Sequence, residues 1–194
     1  MVFTEAMPSR RYSAVILAGV WPSSSGDDLR TQADAQAAAA MKVREAAAEM
    51  RDCGERFMDA TQGRFAAAMY EGYRSLAGWL DDKADFHDAG RRLLEGEGGD
   101  VDALKSHLEH LDWQAHETIE KLEAAGPITQ AEIMAVVAAA RAACVASDAQ
   151  TATHIAGRQA QLTKAAAPPA KHPSPPGSAY PGPKFQESPY IKRD

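Results

Sequence analysis

Very little in this chain suits a site for covalent chemistry. No Gly-x-Gly-x-x-Gly, phosphate-loop, Gly-x-Ser-x-Gly or His-Glu-x-x-His pattern occurs in its 194 residues. Dinucleotide, phosphate-loop, serine-hydrolase and metalloprotease sites are thereby excluded. The glycines of Gly96-Glu97-Gly98-Gly99 follow a helical pattern rather than a strand, so they do not form a phosphate cradle. Basic residues are short as well: 21 Lys and Arg stand against 27 Asp and Glu, the net charge is −6 and the pI about 5.5. No helical face gathers them, so the electrostatic footprint of a nucleic-acid binder is missing.

Long hydrophobic runs are also absent. The stretch Ala14-Val15-Ile16-Leu17-Ala18-Gly19-Val20-Trp21 falls far short of the ~20 residues that a membrane span requires. Arg10 and Arg11 precede it in the manner of a signal peptide, but no small-x-small cleavage site follows and the run leads into Trp21-Pro22. We therefore expect neither nucleic acid nor a membrane span. Cysteine is scarce too: Cys53 and Cys144 both fall in helical patterns and read as small buried hydrophobes. A disulfide joining the two helices requires an oxidising compartment.

What the chain has is alanine, 40 residues of it, which packs helices closely while burying little area per residue. The expected fold is all-α: an elongated antiparallel hairpin or bundle of about four helices, followed by a disordered proline-rich tail. Residues 1–25 read as an N-terminal arm, 26–164 as the bundle and 165–194 as the tail or linker. Helices are expected over roughly 26–60, 64–95, 100–125 and 129–163.

Ser23, Ser24 and Ser25 can accept from the first free N–H groups of a helix, and Asp27 and Asp28 face the positive end of its dipole. From there Leu29, Ala33, Gln36, Ala40, Val43, Ala47, Met50, Gly54 and Phe57 form a narrow seam of mostly small residues at coiled-coil spacing. Gly63 ends this helix. The next has its seam at Phe65, Met69, Gly72, Leu76, Trp79, Lys83, Phe86, Gly90 and Leu93, and so short a connection makes the two helices antiparallel. Gly54, Gly72 and Gly90 read as close-packing positions.

Gly96, Gly98 and Gly99 are expected to stop the second helix. Asp100 then caps a third, lined by Val101, Leu104, Leu108, Leu111, Ala115 and Leu122. After the break at Gly126-Pro127, Thr129 and Glu132 form a capping box that opens a fourth helix. Eight of the eleven prolines fall in the last thirty residues, a composition that favours a solvated polyproline-type tail.

One titratable cluster remains: His107, His110, Asp112 and His116. His107 and His110 have i, i+3 spacing, but no Glu-x-x-His pattern recurs on another helix to complete a di-iron bundle. The cluster reads as a solvated helix face, and so do Asp81, Asp82, Asp85, His87 and Asp88. No catalytic, cofactor-binding or metal-ligating residue is assigned, and no cofactor is expected. Trp21 reads as an aromatic anchor that packs the arm onto the bundle.

Trp21-Pro22, a capped alanine-rich helix, the break at Thr61-Gln62-Gly63, and then Arg64-Phe65-Ala66-Ala67-Ala68-Met69 opening another long helix together resemble the WxG superfamily of type VII (ESX) secretion substrates. The closest likeness is to PPE N-terminal domains and to the export domains of actinobacterial toxins, over residues 12 to 125. Gly63 matches the glycine of the Trp-x-Gly turn, with Thr61 at the tryptophan position. Tyr190 and Asp194 match the Tyr-x-x-x-Asp/Glu export pattern.

The resemblance implies a non-enzymatic substrate whose hairpin pairs with a small partner hairpin, with an export chaperone as a further partner. Such a protein leaves the cytoplasm by a route independent of a signal peptide and ends secreted or at the cell surface. Trp21, Pro22, Gly63, Tyr190 and Asp194 are then the partner or export candidates. Leu29, Val43, Met50, Phe57, Phe65, Met69, Leu76 and Trp79 are the helix-seam contacts. Two alternatives stay open: the delivery module of a longer secreted toxin, and a self-associating helical scaffold. A helical metal protein using His107, His110 and His116 is the competing class.

Overall fold

The computed structural model describes residues 6–165, with side chains through Gln161. These residues are all-α: α1 (Ser13–Ile16), α2 (Gly26–Ala60), α3 (Arg64–Ala125) and α4 (Gln130–Ala165), with no strand among them. Residues 6–39 and 86–165 form one compact unit and Ala40–Asp85 a second, so α2 and α3 each contribute to both. Tyr190 and Asp194, with the rest of the expected tail beyond residue 165, lie outside the described residues.

α2 begins where serine chemistry permits. The Ser25 carbonyl accepts the Leu29 N–H at 3.2 Å and the Ser25 hydroxyl accepts the Asp27 N–H at 3.1 Å, satisfying donors that a helix start leaves free. Asp27 and Asp28 occupy the first turn. Along α2, Ala33, Ala40, Ala47 and Gly54 recur every seven residues and all are buried. Such a seam lets a second helix approach closely. α2 ends before Gly63, whose φ of +102° lies in a region that side chains disfavour and glycine adopts without penalty.

α3 differs from expectation. Instead of two helices over 64–95 and 100–125, one helix runs through Gly96, Gly98 and Gly99. Gly96 and Gly98 serve close contact rather than termination, while Gly99 is exposed with nothing within 4 Å of where its Cβ would be. A Cβ on Gly98 would sit 3.1 Å from the Gly26 carbonyl oxygen, and a Cβ on Gly96 would overlap the Arg158 guanidinium. Glycine costs a helix interior about 1 kcal/mol relative to alanine, and here that cost is exchanged for the approach of neighbouring elements.

The α3 seam in the second unit is also displaced from the expected one. Ala66, Ala77 and Ala84 are buried, whereas Phe65 is 53% exposed and Met69, Leu76 and Trp79 are half-buried. The contact thus runs one residue C-terminal of the large side chains, because alanine against alanine brings the two backbones nearest. Leu29, Val43, Met50 and Phe57 on α2 are likewise half-buried beside their seam.

In the first unit, Ile16 and Leu17 of the arm join Leu104, Leu108 and Ile119 of α3 and Ile133, Val137 and Cys144 of α4 in one buried cluster, with Trp21 packed at its margin. α4 opens with the capping box. Thr129 donates its N–H to Glu132 Oε2 at 2.8 Å, and its hydroxyl oxygen accepts the Glu132 N–H at 3.3 Å. By length and composition Gln130–Gln161 of α4 is apolar enough to cross a membrane, with a mean hydropathy of 1.3. No uninterrupted run marks it, because its apolarity is spread over alanines punctuated by Arg141, Asp148 and Arg158.

Candidate functional site

The second unit is a two-helix layer with unlike edges. On one edge Arg44 Nη2 donates to Asp85 Oδ1 at 2.8 Å, and Arg51 pairs with Asp81. The opposite edge is apolar. Helical spacing places Val43, Met50 and Phe57 of α2, and Met69 and Leu76 of α3, on the flank of the seam away from those ion pairs. None of the five is fully buried, and Trp79, two residues beyond the buried Ala77, lies further round α3 and is half-buried. The Phe57 and Phe65 rings meet edge-on at 6.1 Å, and Lys83 Nζ lies 5.4 Å from the centre of the Trp79 ring. Of the residues singled out as helix-seam contacts, Val43, Met50, Phe57, Met69 and Leu76 therefore flank the seam of this unit as a margin open to solvent rather than forming the seam, and Leu29 belongs to the first unit.

The acidic stretch is not simply solvated. Asp81 and Asp85 hold the arginines of α2, and His87 Nδ1 lies 2.7 Å from Gln36 Oε1. Asp88 lies 3.9 Å from the Arg91 Nε.

The first unit contains a polar latch that the sequence did not disclose. Asp112 is fully buried, and its Oδ2 accepts from Arg10 Nη1 and from the Ser13 hydroxyl, both at 2.8 Å. The Ser13 oxygen in turn accepts the Arg10 N–H at 3.1 Å. One turn further along α3, His116 Nε2 accepts the Tyr12 N–H at 3.0 Å, so Nδ1 carries the ring proton and donates it to the Asp112 carbonyl at 2.7 Å. Arg141 of α4 holds the Val15 carbonyl at 2.7 Å. These bonds satisfy donors and acceptors that burial would otherwise leave unpaired, while Ile16 and Leu17 supply the apolar part of the docking. Asp112 Oδ1 and the Tyr12 hydroxyl are buried without a hydrogen-bond partner.

The signal for the latch was present. Asp112 falls between Leu108 and Ala115 on the apolar stripe of α3, a place where a carboxylate needs partners. Pro22 and Trp21 follow this docked segment, both half-buried.

The three histidines diverge. His116 belongs to the latch, His110 stacks on Trp113 at 5.9 Å, and His107 faces a shallow cleft of about 200 Å³ with Asp100, Ser147, Thr151 and His154. In that cleft Asp100 accepts from Arg158 Nη2 at 3.3 Å and lies 3.5 Å from His154 Nδ1. Among the described residues no group of three or more His, Cys, Asp or Glu side chains is placed to hold a metal ion.

Elsewhere, hydrogen bonding to Asp102 raises Arg30 above its ordinary pKa, and the Thr129 N–H holds Glu132 below the usual carboxylate range. Burial pushes the Cys144 thiol up, with the Asp112 charge adding to it.

Fold and surfaces together define a helical-bundle protein built around an alanine-seamed hairpin with one apolar edge. No protein-family model, curated protein or solved structure matches the chain.

Proposed function

We propose that the chain is a non-enzymatic docking protein whose hairpin is completed by a second helical hairpin, and that it is a substrate or targeting domain of type VII secretion. One observation carries the docking reading. Every fully buried position of the second unit is alanine or glycine, namely Ala40, Ala47, Gly54, Ala66, Ala77 and Ala84, while Val43, Met50, Phe57, Met69 and Leu76 stay half-buried on the flank of that seam and Phe65 is exposed. Two helices that meet through alanine bury little area, and the hydrophobic stabilisation of about 25 cal/mol per Å² remains to be collected from that edge. A second hairpin laid against it makes a four-helix bundle.

The export part rests on the resemblance of Trp21-Pro22, the Gly63 turn and the helix that follows to WxG-type substrates. The test is co-expression with the small helical proteins encoded beside its gene, with culture filtrate assayed for the chain. Export and co-purification that both disappear in a Leu76→Glu variant support the reading. A stable monomer that binds no hairpin and is retained in the cell overturns it.

A further inference from the structure

We infer that the outward face of α4 packs antiparallel against the same face of a second copy of this chain, with Arg141 of each copy paired to Asp148 of the other. The surface belongs to the first unit, and the proposal is independent of the docking edge on α2 and α3.

α4 buries Ile133, Val137 and Cys144 against its own chain. Its other side carries a second repeat that faces solvent. From Ala131, alternating steps of four and three residues reach eight positions ending at Ala156, and all eight are exposed. Seven are alanine and the eighth is Val145. This is the heptad spacing of a coiled-coil seam, the spacing that buries Ala33, Ala40 and Ala47 of α2. At 1.5 Å per residue it runs for about 38 Å. Lys, Arg, Glu and Gln hold a helix almost as well as alanine, so helix propensity does not account for a seam without one charged or long polar side chain.

A two-fold contact requires the surface to complement itself. With the axis level midway between residues 143 and 144, Ala142 lies beside Val145 of the other copy, Ala138 beside Ala149 and Ala131 beside Ala156. The one large side chain of the seam then meets an alanine both times.

The flank of the seam carries the charge. Met134, Arg141, Asp148 and Ile155 follow one another every seven residues there. Long helical side chains lean toward the N-terminus and cover surface about one residue before their own Cα, so flank pairs are centred one residue C-terminal of the seam pairs. That centre lies midway between residues 144 and 145, and about it Arg141 meets Asp148 and Met134 meets Ile155. Opposite charges meet twice, apolar side chains meet twice, and like charges never meet. Charges flanking a seam select partner and orientation.

The acid of that pair is unsatisfied within its own chain: Asp148 is half-buried and makes no hydrogen bond or ion pair with any described residue. Arg141 gives Nη1 to the Val15 carbonyl, and a guanidinium has five N–H donors. A lipid surface fits this face less well. Helices that lie in an interface bury Trp, Phe and Leu, where this one offers alanine, and a span would carry Arg141 and Asp148 into hydrocarbon.

The test is sedimentation velocity on the full chain as wild type, Ala142→Glu, Arg141→Glu, Asp148→Arg, the Arg141→Glu/Asp148→Arg double swap and Leu76→Glu, with far-UV circular dichroism on each. We expect a species of twice the 20.8 kDa chain mass that Ala142→Glu abolishes with helicity unchanged. Each single swap should weaken it severalfold and the double swap restore it to within about twofold. The double swap does not rebuild the Arg141–Val15 contact, so its recovery reports the intermolecular pair. Leu76→Glu, on the other surface, should leave the dimer intact.

A chain that stays monomeric overturns the proposal, and so does a dimer that survives Ala142→Glu or is not recovered by the double swap. A monomer that binds phosphatidylcholine–phosphatidylglycerol vesicles and loses them on Ala142→Glu overturns the second copy in favour of lipid. None of these results touches the hairpin reading, which fails separately, when no hairpin protein binds the Leu76 edge.

Discussion

Gly54 of α2 lies against the Cβ of Tyr73 and the ring of Tyr70 on α3, close enough that a Cβ on residue 54 would come within 3.1 and 3.3 Å of them. The contact fixes the spacing of the two helices at the level where the apolar edge is centred. Gly54→Leu should therefore destabilise the chain by about 1–3 kcal/mol, the usual cost of overpacking. Gly78 lies on the same helix as Tyr73 but meets nothing within 4 Å. Gly78→Ala should stabilise by up to about 1 kcal/mol through helix propensity alone. Denaturant unfolding of the two variants beside wild type checks both signs.

The arm latch makes a second prediction. Removing the carboxylate in Asp112→Ala leaves Arg10 and the Ser13 hydroxyl without their acceptor in a buried setting, which costs about 1–3 kcal/mol. His116→Leu removes the acceptor of the Tyr12 N–H while keeping bulk. Amide hydrogen exchange at Tyr12 should speed up in both variants and stay unchanged at Ala47. Unchanged protection at Tyr12 would contradict the latch.

Acid should reach the start of α4 through Glu132. Its folded pKa is lowered, chiefly by the Thr129 N–H and then by the Thr129 hydroxyl, so its contribution is present above the unfolded glutamate value of about 4.3. That contribution is lost as pH falls through the folded value. Between neutral pH and pH 3, Glu132→Gln should lose less stability than wild type. Thermal unfolding at several pH values measures the difference.

The two thiols should differ in reactivity. Cys53 is half-buried and Cys144 fully buried, with its thiol pKa raised first by desolvation and then by the nearby Asp112 charge. At neutral pH one equivalent of a thiol reagent should react promptly, at Cys53, and the second only on unfolding. Because the folded pKa of Cys144 is raised, its contribution to stability is complete below the unfolded thiol pKa. It declines as pH rises from there through the folded value.

Much of the backbone plan was legible because it follows from local chemistry. The serines and aspartates before Leu29, the glycine at position 63 and the Thr129–Glu132 pair each act within a few residues. The positions that misled were those whose role is set by distant contacts. Gly96, Gly98 and Gly99 look like a helix stop, yet Gly98 is small because the Gly26 carbonyl lies against it, 72 residues away in sequence.

Periodicity alone also could not tell Phe65 from Ala66 as the contact residue on α3. Both fit a helical stripe, and the choice depends on how near the alanines of α2 allow the helices to come. At the latch, Arg10 and Ser13 meet Asp112 across about a hundred residues. Only the placement of an acid on an apolar stripe hinted at it.

The central claim, that the apolar edge of the hairpin is covered by another hairpin in use, is tested most directly by methionine oxidation in living cells compared with the dilute purified chain. Met50 and Met69 lie on the edge, and Met41, 61% exposed, lies off it. The account predicts that oxidation of Met50 and Met69 in cells drops severalfold against the purified chain while Met41 oxidises equally in both. Equal oxidation of all three methionines in the two settings would contradict it.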